Sequence, residues 1–320
     1  MKLSLSPTNP KGFLFRLTGT LLTMGLLIYL IEQQEWSEIV TTLIGIPAWR
    51  VGLAFLLMLI SRLAVTSRWH VLLRSAGVPI PFRQSARLTF SGLFASNFLP
   101  TTVGGDVFRL AGGIQLRLNS AVCAASLVAD RLVGIAGMAL ALPLSLPAVL
   151  EWRRQPPHSF SLIWLQGMIT FRFGWLSRVF RRFGNFLEEI LYTMRHWLAH
   201  PFSLLYALMW SWVHMVCLFA AISLILDGIR DPLPFWRIAG LWSLVYFITL
   251  LPISINGYGL QELAMTLTFG HSGGISLQSS LTVALVIRLL TMLASLPGAL
   301  FVPGILSGKQ PVLSGEQVEE

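Results

Sequence analysis

Charge is what this chain has least of. Only 12% of its 320 residues are Asp, Glu, Lys or Arg, half the share of roughly 25% that a soluble domain carries. With 54% hydrophobic residues and a mean hydropathy of +0.70, that shortfall excludes a soluble enzyme and a disordered chain. It leaves an all-α polytopic membrane protein. Cysteine is nearly as scarce. Cys123 and Cys217 both lie inside apolar runs, which excludes a disulfide scaffold and implies no metal framework. Acid is scarcer than base, 14 residues against 23, for a net charge of +9. In a membrane chain that excess reports loops held beside anionic lipid, and no nucleic-acid partner is expected. There is no G-x-x-x-x-G-K-[ST] and no Asp-x-Asp, so no cofactor, metal site or enzymatic activity is expected.

Glycine and proline are plentiful instead, at 27 and 17, and membrane chains use both to break helices on purpose. A span needs about 20 apolar residues. Stretches 14–31, 49–72, 121–146, 160–173, 202–226 and 279–306 meet or approach that length. Two others are interrupted. One, 88–114, is cut by Pro100-Thr101-Thr102-Val103-Gly104-Gly105-Asp106; the other, 235–269, by Pro252-Ile253-Ser254-Ile255-Asn256-Gly257-Tyr258-Gly259. The expected architecture is six full transmembrane helices plus two broken, re-entrant hairpins, or eight spans if the hairpins cross. A short N-terminal segment 1–12 precedes the membrane domain 13–307. Within it, 175–200 reads as an amphipathic surface helix, and 308–320 as a polar tail.

With the N-terminus inside, sixteen basic residues fall on the inner side, among them Arg62, Arg68, Arg83, Arg87, Arg109 and Arg117, against five outside. Both termini are therefore expected in the cytoplasm of a bacterial cell, with the chain in its inner membrane. In that arrangement the two hairpins enter from opposite faces. They share a word, Leu99-Pro100-x-x-x-Gly104-Gly105 and Leu251-Pro252-x-x-x-Asn256-Gly257. Paired interruptions of this kind accompany inverted repeats in transporters.

A charge at bilayer depth costs about 2.5–3.5 kcal/mol on insertion scales, so it faces a partner or a cavity. Here those charges are Asp106, Arg109, Asp130, Arg131, Glu262 and Arg288. Asp106 stands where a half-helix would begin and is placed to cap it. Adjacent Asp130 and Arg131 cannot pair with each other on a helix. Crosswise pairs, Asp106 with Arg131 and Asp130 with Arg109, are expected, and Arg288 is the natural partner of Glu262. Free amides and Arg109 would attract a phosphate, and Asp106 a cationic group. A capped break with internal ion pairs explains the same residues. His214 reads as a satisfied core histidine before a proton shuttle.

Taken together, Asn97-x-x-Pro100-x-x-x-Gly104-Gly105-Asp106-x-x-Arg109, then Asp130-Arg131 at the start of a long span, then Pro252-x-Ser254-x-Asn256-Gly257-Tyr258-Gly259-x-x-Glu262 resemble the flippase-like membrane domain of the lysylphosphatidylglycerol synthases. The resemblance covers about residues 13–307. It implies a membrane protein whose relatives move an aminoacylated phosphatidylglycerol between leaflets. The soluble aminoacyl transferase of the full-length synthases has no counterpart here, and only the translocating part is expected. The expected function is a lipid flippase-like transporter of an amphiphile with a phosphate-containing headgroup. Alternatives are a polyprenyl-phosphate-dependent glycosyltransferase and a non-transporting accessory protein of envelope lipid synthesis. Expected partners are membrane lipids, either anionic phospholipid or a polyprenyl-phosphate-linked substrate. A second copy of the chain or an envelope-synthesis enzyme remains an open alternative as protein partner.

Overall fold

The computed structural model describes residues 10–33, 36–98, 104–147, 150, 201–251 and 254–307. Eleven α-helices account for most of them: α1 Pro10–Gln33, α2 Trp36–Ile44, α3 Ala48–Ser75, α4 Phe82–Phe98, α5 Gly104–Gln115, α6 Ser120–Ala141, α7 Pro201–Ile229, α8 Phe235–Thr249, α9 Leu260–Leu267, α10 Leu277–Ser295 and α11 Val302–Ser307. There is no strand among the described residues. Four helical stretches are long and apolar enough to cross a bilayer, Ala48–Ser75, Ser120–Ser145, Pro201–Ile229 and Leu277–Leu300. The chain is an all-α, multi-pass membrane protein. The expected span 160–173, the amphipathic segment 175–200 and the tail 308–320 lie outside the described residues, as do Pro100 and Pro252.

Helix α3 packs along α7, and the pairing runs antiparallel. Arg68 touches Ser211, Ser61 touches His214, and Arg50 meets Asp227. Small buried residues on α3 (Ala54, Ser61, Ala64) and on α7 (Ala207, Ser211, Ala221) let the two backbones approach closely. That is how helices associate where lipid tails remove the hydrophobic drive. Met58, Ile222, Leu241, Phe269 and Ile287 fill one continuous core between α3, α7, α8, α10 and the turn after α9.

Both interrupted stretches are helical hairpins. In the first, α5 returns along α4: a Cβ on Gly112 would strike Leu88, and one on Gly92 would lie 2.7 Å from the Gly105 carbonyl oxygen. In the second, Arg237 at the start of α8 donates to the Ser272 carbonyl beyond α9, at 2.8 Å. A wide π-type turn, Thr268–Ser272, leads there. Each hairpin therefore leaves by the end through which it entered. The first opens beside the C-terminal end of α3, the second beside the C-terminal end of α7. Because α3 and α7 are antiparallel, the hairpins come in from opposite ends, as the sequence suggested.

The hairpin limits differ from expectation. Helix α4 begins at Phe82, six residues before the apolar run, and α5 begins at Gly104. Arg83, Gln84 and Arg87 are thus helical rather than loop residues. Their long side chains keep polar tips at the hairpin mouth while the helix continues. The last span is also not one helix. At Leu296-Pro297 it tightens into a 3-10 turn, Leu296–Leu300, before α11. Proline lacks the amide that would continue the α-helical ladder. Helix α6 ends the same way, at the 3-10 turn Leu142–Ser145 with Pro143.

These features fall into two units, α3–α6 and α7–α10: a long helix, a broken hairpin and a second long helix. The two second long helices start under side-chain caps. Asn119 Oδ1 accepts from the amides of Ala121 and Val122 at 2.9 and 3.2 Å, and Ser276 Oγ accepts from the Ser279 amide at 3.0 Å. Such caps satisfy amides that have no partner within the helix. The two 3-10 turns pack crosswise. The one after α6 lies on Gly240 of α8, and the one after α10 lies on the Phe90 backbone of α4, through Gly298. Reciprocal packing of this kind is what a pseudo-two-fold axis between two inverted units produces.

Candidate functional site

The two breaks meet tip to tip. A helix leaves its last carbonyls without intrahelical partners, and those of α4 are taken up by the other hairpin. Asn256 Nδ2 donates to the Ser96 carbonyl oxygen, and the Tyr258 hydroxyl donates to that of Asn97. Asn97 Nδ2 in turn donates to Ser295 Oγ of α10 at 3.0 Å. The second break is held by left-handed backbone at Asn256 (φ 54°), Gly257 (φ 72°) and Gly259 (φ 73°). Gly259 has no room for a side chain either, since a Cβ would lie 2.8 Å from the α1 backbone at Thr23 and Met24. Helix α1 closes this side. Thr20 Oγ1 accepts from the Ile255 amide at 2.7 Å, and the Thr23 hydroxyl donates to the Tyr258 carbonyl at 3.0 Å.

Beside the first break, five charges alternate in a chain. Arg68 Nε donates to Asp130 Oδ1 at 2.6 Å. Arg109 Nη1 donates to Asp130 Oδ2 at 3.1 Å and lies 3.4 Å from Asp106 Oδ1. Asp106 Oδ2 accepts from Arg131 Nε. Arg68 Nη1 also reaches Ser211 Oγ on α7 at 2.9 Å. The Arg109 guanidinium sits 4.1 Å over the Trp69 ring, a cation–π contact that strengthens when desolvated. Arg109 Nε and Nη2 have no hydrogen-bond partner among the described residues. The chain of charges runs from a buried end at Arg68–Asp130 to an open end at Arg131.

The second hairpin carries one pair. Arg288 Nε donates to Glu262 Oε1, and its Nη2 donates to the Gly257 carbonyl at 3.2 Å. The guanidinium lies 5.1 Å from the Tyr258 ring centre. Glu262 Oε2 is buried without a hydrogen-bond partner among the described residues.

The two pairs are counterparts. Asp106 is the third residue of α5 and Glu262 the third of α9; Arg131 is the twelfth of α6 and Arg288 the twelfth of α10. Their surroundings differ. The Asp106 and Arg131 side chains are 24% and 70% exposed, those of Glu262 and Arg288 only 4% and 11%.

The structure thus brings together Asn97, Asn256 and Tyr258 at the junction, and Asp106, Arg109, Asp130 and Arg131 beside it. Gly257, Glu262 and Arg288 form the second cluster. Gly104 and Gly105 open α5, and a Cβ at Gly105 would collide with Ser96 Oγ. Both Asp106 oxygens face guanidinium groups from the first turn of α5. Two expectations change. Asp130 and Arg131 lie midway along α6, not at its start. Arg68, counted with the loop charges, is buried in the network, and Arg62 also lies within α3. His214 meets Ser61 Oγ at 2.6 Å, as a satisfied core histidine does.

Sequence reasoning missed Arg68, Trp69 and Ser211, and the hydroxyls of Thr20, Thr23 and Ser295. The only signal for Arg68 was an arginine with apolar residues on both sides within a span.

The sequence profile of the lysylphosphatidylglycerol synthase TM region matches residues 16–298. The chain belongs to that family. No curated relative matches it. Within this lysylphosphatidylglycerol synthase TM region, the matched segment takes in α1 from Arg16 onward, both inverted units and every charge of the two clusters.

Proposed function

We propose that this protein is a lipid flippase-like transporter that moves an amphiphile with a phosphate-containing headgroup between leaflets. One observation carries the reading: the same acid–arginine pair occurs in both inverted units, open in one and buried in the other. Inverted repeats in transporters alternate access by exchanging the conformations of their two halves. On this reading the structure corresponds to one of two states. Arg131, accessible on the side of α6, takes the phosphate, and Asp106 takes any ammonium group beside it. Closure of the first unit would bury Asp106–Arg131 while the second opens Glu262–Arg288. The headgroup passes along these polar points, and the acyl chains stay in lipid.

The end that carries Arg74, Arg83, Arg87 and Arg117 is proposed to face the cytoplasm of a bacterial inner membrane. Transport is proposed to draw on an ion gradient or the lipid gradient, without enzymatic turnover. The test is reconstitution in liposomes with fluorescent phospholipids of differing headgroup and chemical quenching of the outer leaflet. Protein-dependent quenching of the inner-leaflet pool is expected for a phosphate-headgroup lipid. Absence of such exchange across the whole panel overturns the reading.

A further inference from the structure

Away from both charge clusters, a groove of about 400 Å³ opens on the outer face between α3, α4 and the turn after α10. That volume falls within the ~300–1,000 Å³ of small-molecule clefts. Its walls are apolar: Leu59 and Leu63 from α3, Phe90 from α4 and Phe301 beyond the turn. Its charged groups are Arg83 and Arg87, both in the first two turns of α4. Arg87 lies 5.7 Å from the Phe301 ring centre, and neither arginine has a carboxylate partner among the described residues. Seven residues separate Arg83 from Phe90, about 10 Å of helix rise. The groove therefore runs from a doubly cationic mouth, at the end where the first hairpin enters, to an apolar floor nearer the middle of α3.

We propose that this groove holds one anionic glycerophospholipid, its phosphate on Arg83 and Arg87 and an acyl chain along Leu63, Leu59 and Phe90. The charge pattern selects this occupant. Two guanidinium groups at the mouth, neither paired with a carboxylate among the described residues, match a phosphate bearing no compensating cation, and guanidinium binds phosphate through two parallel hydrogen bonds. A purely apolar partner helix would leave both cations uncompensated. The site shares no residue with the two acid–arginine pairs, so the bound lipid is a resident ligand and not the cargo in transit.

Native mass spectrometry of the detergent-purified protein, titrated with phosphatidylglycerol and with phosphatidylcholine of the same chains, tests this. Wild type is expected to retain phosphatidylglycerol preferentially. In R83Q/R87Q that preference should fall roughly ten- to thirtyfold, because each basic residue near anionic lipid contributes about a fivefold factor. Leu63→Trp, which fills the groove at an already exposed position, should lower retention of both lipids. Arg74→Gln, which removes an exposed charge from the same end, should leave the preference intact. Unchanged preference in R83Q/R87Q, or an equal loss in Arg74→Gln, overturns the proposal. A lipid-free dimer that Leu63→Trp dissociates also overturns it, by giving the groove to a second copy of the chain.

Discussion

Arg131 and Arg288 occupy the same place in a repeated unit. Each is the twelfth residue of a capped helix, and each binds an acid that is the third residue of the preceding half-helix, Asp106 or Glu262. Arg131 is 70% exposed and Arg288 11%. One chemistry therefore sits in two environments, and the difference decides which pair can be broken without cost to the fold.

Asp106→Asn and Arg131→Gln should abolish headgroup exchange while leaving the fold intact. An exposed ion pair contributes only about 0–1 kcal/mol to stability. A charged contact to a phosphate contributes about 1.5–3 kcal/mol, or roughly ten- to hundredfold in rate or affinity. Lipid exchange in liposomes, read beside thermal unfolding of the same samples, checks this. Wild-type exchange in either variant removes the pair from the path.

Glu262→Gln and Asp130→Asn should, by contrast, destabilise the fold. Each leaves a buried guanidinium without its counter-charge: Arg288 in the first case and Arg68 in the second, where Arg109 keeps only its 3.4 Å contact to Asp106. Losing one partner of a buried pair costs about 3–5 kcal/mol. The unfolding midpoint in detergent should drop well below that of Asp106→Asn. Midpoints equal to wild type would mean that water reaches these clusters.

The crosswise ion pairs were legible in the sequence because charges in the apolar stretches are few, and each must find an opposite charge. Asp106, Arg131, Glu262 and Arg288 could be paired by elimination. Arg68 was not legible, because an arginine near a span end reads as an interfacial anchor; only the packing of α3 against α6 places it beside Asp130, and that against α7 beside Ser211. The tip-to-tip junction left still less trace. Its acceptors are backbone carbonyls of Ser96 and Asn97, and a free carbonyl has no residue-type signature. The repeat showed only as a shared Leu-Pro word at the breaks. Its other landmarks, the capped starts at Asn119 and Ser276 and the turns at Pro143 and Pro297, are single residues that acquire meaning once the helices are in place.

Asn256 separates two contributions to the junction, backbone conformation and side-chain bonding. Its φ of 54° lies in the left-handed region, and its side chain caps α4 at Ser96. Asn256→Gly keeps the backbone easy and removes the cap, whereas Asn256→Val also places a β-branched residue at positive φ. Glycine should therefore cost about 1 kcal/mol, the typical worth of one hydrogen bond, and valine about 1–3 kcal/mol more. If the junction gates access, a cysteine at Ser96 should react faster with a thiol reagent in the Asn256→Gly background. Equal labelling rates with and without the cap would show that the tips stay together by packing alone.

The close approach of α4 and α5 fixes where Arg109 lies, and Gly92 permits it. A Cβ at Gly92 would stand 2.7 Å from the Gly105 carbonyl oxygen and 2.9 Å from Arg109 Cγ. Real Cβ atoms do not come so near, and the backbone oxygen cannot swing aside as a side-chain tip would. Gly92→Ala must push α5 away, which moves Arg109 off both Trp69 and Asp130. Overpacking of this kind costs about 1–3 kcal/mol, and the displaced guanidinium adds to it. Gly52 in α3 provides the control, since its Cβ would meet nothing within 4 Å. There the same substitution should be neutral or stabilising by up to about 1 kcal/mol, through helix propensity. Thermal unfolding in detergent reads both. A Gly92→Ala protein as stable as Gly52→Ala, with lipid exchange intact, would mean that the hairpin tolerates a wider spacing and that Arg109 need not be held where it is.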